Sequence, residues 1–242
     1  NLRQEGVDEG DTAKTDGTYL YVLKDKSDQI AIIDTRDNRM KQTATITVED
    51  VSEIQEMYLD IERNQLIAVC DGYVGGKWND DDYGYGQKVN TTAVTYDISD
   101  RADPKEVGRV SQSGYYNSSR IADGYLYLFS DYYVTLDGIT AKNPKSYIPL
   151  VNDNLIKETD ICLPSISKAD MYSIITSVSL ENPDETAHSK AFLADGGNLY
   201  VSNDNIYFYE NVWQYSGKDV TTIRKVSYES GKLTAGAQCK ID

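Results

Sequence analysis

One sentence of this chain is written several times over. Asp123-Gly124-Tyr125-Leu126-Tyr127-Leu128-Phe129 is a turn feeding a short aromatic-aliphatic run. It recurs as Asp16-Gly17-Thr18-Tyr19-Leu20-Tyr21-Val22-Leu23, as Asp195-Gly196-Gly197-Asn198-Leu199-Tyr200-Val201, and more weakly as Glu62-Arg63-Asn64-Gln65-Leu66-Ile67-Ala68-Val69. In-phase recurrence of one supersecondary unit marks a repeat architecture, in which each unit buries its apolar faces against its neighbours. Each copy opens a series of short runs alternating apolar and polar residues with period two, the pattern of half-buried strands. Gln29–Asp34, Lys41–Val48, Thr91–Ile98 and Thr221–Tyr228 are such runs.

Four units of about four strands each follow, over residues 11–48, 54–111, 118–193 and 198–242. No segment sustains a helical period, although a short helical turn fits inside an insertion. Four-stranded antiparallel meanders repeated in series predict an all-β fold of β-propeller blades in a single domain, either a small closed ring or an open arc of a larger propeller. Two insertions interrupt the series. Residues 71–90 separate the second and third strands of unit two, and residues 132–169 do the same in unit three.

At this point the motifs become specific. Glu5-Gly6-Val7-Asp8-Glu9-Gly10-Asp11, Lys14-Thr15-Asp16-Gly17 and Tyr19-Leu20-Tyr21-Val22 resemble the opening of the bacterial secreted "beta propeller domain" family, distantly akin to WD40 propellers. Thr95-Tyr96-Asp97-Ile98-Ser99-Asp100 with Pro104, Ser118-Ser119-Arg120, Ser189-Lys190-Ala191 and Thr221-Thr222-Ile223 extend the resemblance over nearly the whole chain. It implies a secreted or cell-surface protein without an assigned activity, and brings no catalytic residues. Members usually continue with more repeats, so the resemblance favours the open arc. A homodimer that buries the exposed ends is the expectation for an incomplete ring.

Composition narrows the partners. Asp and Glu number 39 against 24 Lys and Arg, a formal charge of −15. That balance argues against nucleic acid, which needs a basic face, and against an anionic membrane surface. No run of about 18 apolar residues is present to insert into a bilayer. The 20 tyrosines suit strands that are apolar along the ring and wet at the hydroxyl. Three cysteines, Cys70, Cys162 and Cys239, do not make a disulfide framework. Cys70, at the end of an apolar run, reads as a buried thiol, and a Cys70–Cys239 bridge is the one pairing to test.

Catalytic signals are sparse. The chain has one histidine, His188, and it stands in none of the arrangements that a Ser-His-Asp triad, a copper site or a His-rich zinc site would need, so it reads as structural or exposed. The strongest candidate site is the first insertion, where Trp78, Asp80, Asp81, Asp82, Tyr83 and Tyr85 stand on a Gly-flanked loop. The aromatics could stack on sugar or peptide. Asp80 and Asp82 could offer hard oxygen ligands to calcium, the one cofactor the sequence suggests, although the spacing lacks the alternation of a standard calcium loop. The second insertion, with Asp137, Tyr147, Asp153 and Asp160, reads as a covering segment that caps one end of the propeller or packs along a blade, rather than a lid over chemistry. The expected function is binding of a protein, peptide or glycan. The alternative is a glycan-acting hydrolase with paired carboxylates, for which the sequence names no pair.

Overall fold

The computed structural model describes residues 7–36, 40–73, 89–134, 139, 142–163, 171–194, 198–213 and 219–241. Among these it is an all-β chain with two short 3-10 turns, Pro144–Ser146 and Glu158–Asp160, both in the second insertion. A two-residue strand, β1 (Val7–Asp8), leads in. Blade one is β2 (Ala13–Thr15), β3 (Tyr19–Leu23), β4 (Gln29–Asp34) and β5 (Lys41–Thr47). Blade two is β6 (Glu53–Asp60), β7 (Gln65–Tyr73), β8 (Val89–Asp97) and β9 (Lys105–Ser113). Blade three begins with β10 (Tyr115–Ala122) and β11 (Tyr125–Tyr133). The insertion contributes β12 (Leu150–Val151), β13 (Asn154–Leu155) and β14 (Ile161–Cys162), and the blade ends with β15 (Met171–Ser179) and β16 (Thr186–Ala194). Blade four is β17 (Asn198–Val201), β18 (Asn205–Trp213), β19 (Asp219–Glu229) and β20 (Lys232–Ile241). Each blade is an antiparallel meander of these four strands, so the propeller-type reading of the repeat holds.

The alternation of side chains gives every blade two faces, and the apolar ones meet in three separate cores. Tyr21, Ile30 and Ile32 of blade one pack on Met57, Leu66 and Val94 of blade two. Tyr58, Ile67 and Val110, from the opposite face of blade two, pack on Leu126, Leu128 and Ile174 of blade three. Tyr127, Phe129 and Ile175, from the other face of blade three, pack on Val201, Ile206 and Val226 of blade four. A closed ring of four blades would need a fourth core joining blade four to blade one; the described residues form three. The outward side of blade four carries Tyr200 and Tyr209, 45% and 40% exposed, and the outward side of blade one carries Leu20, Val22 and Ile33, partly buried. Among the described residues the three cores thus join the four blades in series.

The repeated turn does more than reverse the chain. The first turns of blades one, two and three are each tied to the last turn of the following blade. Asp16 takes the backbone N–H groups of Thr18 and Tyr19 at 2.9 and 2.7 Å, and its other oxygen takes the Arg101 guanidinium of blade two at 3.1 Å. Arg101 also donates to Tyr21 and to Asn64. Burial works against the Asp16 charge, but the two N–H groups and Arg101 outweigh it and hold the carboxyl below its ordinary range. Arg63 reaches Glu181 from blade two to blade three, and the Asp123 carboxylate takes the Ser230 N–H from blade three to blade four at 2.7 Å.

Two segments cross between blades where the sequence offers no repeat. Before blade one, β1 pairs with β10 of blade three, and Asp11 exchanges backbone hydrogen bonds with Met57 of blade two. The leading segment thus runs along the first strands of blades three and two before entering that of blade one, the edge that lines the axis of a propeller. Gly10 sits against the Glu56 side chain, with no room for a Cβ. The second insertion returns to the outer edges. There β12 pairs with β9 of blade two, and β14 pairs in parallel with β16 of blade three. The described part of this insertion packs along blades, as a covering segment should.

Cys70, Cys162 and Cys239 are all free. Cys70 lies in the core between blades one and two and Cys239 on the last strand of blade four, so the Cys70–Cys239 bridge does not form. Burial raises the Cys70 thiol pKa far above its ordinary value and leaves it protonated and inert. His188 is structural. Its Nδ1 accepts the Leu233 N–H of blade four at 2.9 Å, and its Nε2 faces Asp160 of the insertion at 3.2 Å. Lys190 donates to the same carboxylate at 3.0 Å.

Candidate functional site

Antiparallel topology sorts the loops. The connection between the second and third strands of every blade lies on one rim, and the first and last turns lie on the other. Residues 74–88 and 134–170 therefore both spring from the first rim. Trp78, Asp80, Asp81, Asp82, Tyr83 and Tyr85 lie outside the described residues, so calcium ligation by Asp80 and Asp82 is not placed. No group of three or more metal-ligating side chains occurs among the described residues.

The strand that follows the first insertion is described, and its first two residues, Val89 and Asn90, line a pocket of about 480 Å³. One wall is β9, through Arg109, Ser111, Gln112 and Ser113; the other is the second insertion, through Lys145, Leu150, Asn152 and Asp153, with Tyr132 between them. The insertion is fastened there by a hairpin. Asn152 and Asp153 have φ of 46° and 61°, the left-handed pair that a two-residue primed turn requires and that Asn and Asp tolerate. The Asn152 side chain accepts the Ser111 N–H at 2.9 Å, and the Asn152 N–H returns to the Ser111 carbonyl at 2.8 Å. Leu150 donates its N–H to the Ser113 hydroxyl at 2.9 Å. A segment of blade three thus completes a pocket on blade two.

Gln112 is the buried member of the wall, 1% exposed. Its amide nitrogen donates to the Ser130 hydroxyl at 2.8 Å and to the Leu128 carbonyl at 3.3 Å. Ser130 donates its own proton to the Ser113 carbonyl at 2.7 Å, so it can only accept from Gln112, and the amide is fixed in this orientation. Among the described residues the Gln112 Oε1 has no hydrogen-bond partner. An acceptor left so costs about 1–3 kcal/mol of stability. The two cations of the wall differ. Arg109 holds Glu106 at 2.9 Å through both Nε and Nη2, and Lys145 reaches the Asp153 carbonyl at 3.4 Å. Asp153 is the one carboxylate among the described residues of the wall, whereas two-carboxylate glycoside hydrolysis calls for a pair.

A second acidic group stands at the same rim. Asp71, near the end of β7, accepts the Tyr116 N–H at 2.8 Å and the Gln55 amide at 3.1 Å, linking blades two and three. Burial, with a smaller contribution from the charge of Glu53, raises its pKa above the ordinary carboxylate value, although the Tyr116 N–H pulls the other way. The sign of the consequence follows. A folded-state pKa above the unfolded one means that the native protein binds the proton more tightly. Stability is then lost as pH rises from the unfolded value through the folded one. Asp71→Asn removes that penalty, so the variant should exceed the parent in urea-denaturation stability at pH 8, and the advantage should vanish below about pH 4. An equal difference at both pH values would show that the carboxylate charge is not the cause.

Sequence reasoning missed the pocket because its wall is made of amides and hydroxyls on strands, which read as ordinary wet strand faces. The one local signal was Val151-Asn152-Asp153-Asn154-Leu155, a primed-turn hairpin sequence inside an insertion.

Meanders in series, apolar faces packed blade on blade and a rim of long second-to-third-strand loops define a β-propeller type of protein. The family described as "Beta propeller domain" matches residues 1–242, and the chain belongs to that family. No curated protein matches the sequence. Among solved structures, the chain is similar to an acylaminoacyl peptidase of Pyrococcus horikoshii, with 10% identity and a TM-score of 0.42 over 95% of this chain and 32% of that one. It is also similar to a levansucrase mutant of B. subtilis, with 12% identity, a TM-score of 0.34 and coverage of 96% and 71%. A functionally unknown protein of Desulfotomaculum acetoxidans shows 10% identity, a TM-score of 0.31 and coverage of 98% and 70%. The chain spans about a third of the peptidase.

Proposed function

We propose that this chain is an extracytoplasmic interaction module that binds a protein, peptide or glycan on the rim carrying its long insertions. The observation that carries the reading is that the strand ends flanking both insertions lie on one rim, beside a pocket walled by the described part of the second and by Val89 and Asn90, which follow the first. Long loops on a rigid scaffold are the usual carriers of binding, because the scaffold fixes their ends while their sequence is free to vary. The acidic surface favours ligands that are neutral or basic.

The test is a deletion. Residues 77–86 are replaced by a short Gly-Ser linker, and parent and variant are compared on glycan and peptide arrays, with calcium and with chelator. Loss of the parent's signals by tenfold or more is the expected result. Signals that survive the deletion unchanged would remove the loop from the binding surface, and signals indifferent to chelator would remove calcium.

A further inference from the structure

We infer that the pocket between β9 and the second insertion is a binding site for a neutral, hydroxyl-rich ligand of the size of a mono- or disaccharide. The inference rests on the binding reading above and names the ligand class for one part of that rim. Its volume of about 480 Å³ falls within the range of small-molecule sites.

The chemistry of the wall selects the class. A saccharide offers many hydroxyls, each both donor and acceptor, and needs a wall that offers both in turn. Gln112, 1% exposed, ties the base of the wall to Leu128 and Ser130 of blade three, so its amide reports on the wall without touching a ligand. Asn90, on β8 directly beside Ser113, is half-buried and brings both functions of a primary amide. Ser111 and Ser113 accept through their oxygens, from Thr92 and from the Leu150 N–H, which leaves their protons to give. Tyr132 adds a half-buried ring, apolar along its face and polar at its tip, the kind of surface on which a sugar ring can lie.

Anionic ligands fit poorly. A phosphate or carboxylate needs an open cation; Arg109 is held by Glu106 through Nε and Nη2 and by the Glu49 carbonyl through Nη1, and Lys145 shares the wall with Asp153. Asp153 and the −15 charge of the chain further repel it. A purely apolar ligand would leave the amides and hydroxyls of the wall unmatched, which a buried site does not tolerate without loss of affinity.

The experiment is two-dimensional NMR of the whole chain, following the side-chain NH₂ resonances of Asn90 and Gln112. The probes are methyl glycosides of glucose, galactose, mannose and N-acetylglucosamine, and β-1,4-linked disaccharides of glucose and N-acetylglucosamine. Glucose 6-phosphate and glucuronate serve as charged controls. At least one neutral probe is expected to shift both amides and saturate with a Kd of about 1 mM or tighter. Asn90→Ala should weaken that Kd by tenfold or more, and Tyr132→Phe, which removes only the hydroxyl, by less, with both variants keeping the parent's melting temperature. The inference falls if no neutral glycoside moves these resonances, if the charged controls bind better, or if Asn90→Ala leaves the Kd unchanged. If it falls while the loop deletion still abolishes array binding, the rim reading stands without the pocket; if both fail, neither stands.

Discussion

Gly114→Ala is expected to cost about 3–5 kcal/mol, among the largest effects of any single methyl in the chain. Gly114 is the whole connection between blades two and three, the single residue between β9 and β10. Its φ is +102°, a conformation that side-chain-bearing residues avoid, and a Cβ there would lie 2.6 Å from the Asp131 carbonyl oxygen, which is backbone and cannot swing aside. Its own N–H donates to the Val89 carbonyl at 2.7 Å, and its carbonyl takes the Thr91 hydroxyl at 2.9 Å. Any relaxation of the added methyl therefore pulls on the root of the first insertion. Gly124→Ala is the control. It too has a positive φ, +75°, but nothing lies within 4 Å of its Cβ position, so about 1 kcal/mol is expected from the conformation alone. Urea midpoints with equal slopes measure both. Equal shifts for the two variants would mean that the contact with Asp131 contributes nothing.

Gly114 also shows where reading from sequence stops. The periodic runs end the fourth strand of unit two at Ser111 and start unit three at Ser118, leaving a connector. The structure carries both strands inward until one residue remains. Polar residues such as Gln112 and Asn117 hide the extension, because strand periodicity is visible only while apolar residues mark it. The blades themselves were legible for the opposite reason: Asp-Gly turns and alternating Tyr, Leu and Val repeat the same local physics in each unit. Pairings made by backbone alone were not. Val7–Asp8 and Leu150–Val151 are two-residue strands, and nothing in two residues names a partner more than a hundred positions away or in another blade. His188 was read as structural, but its link from Asp160 to the Leu233 N–H joins three segments that only the fold brings together.

Phe129→Ala is expected to cost about 3–5 kcal/mol and, more tellingly, to free blade four from the rest. Phe129 is 1% exposed in the core between blades three and four, edge-on to Phe208 with ring centroids 6.4 Å apart. Blades two and three each contribute to two cores, but blade four contributes to one. In a stack of repeats each unit's stability is its own plus that of its interfaces, so the unit with one interface depends on it most. Ties outside that core, among the described residues, include the polar ones of Ser230 to Asp123, Ser177 to the Gly231 carbonyl, and Leu233 to His188. Native-state hydrogen exchange should then show amides of residues 198–241 exchanging much faster in the variant, while those of residues 19–97 keep their protection. Leu66→Ala, in the core between blades one and two, is the matched control, and should loosen blade one while leaving blade four protected. Uniform loss of protection across all four blades in both variants would mean that the blades unfold as one cooperative body. That is the behaviour of a ring, in which removing one interface leaves every blade still held from its other side, and it would contradict four blades joined in series by three cores.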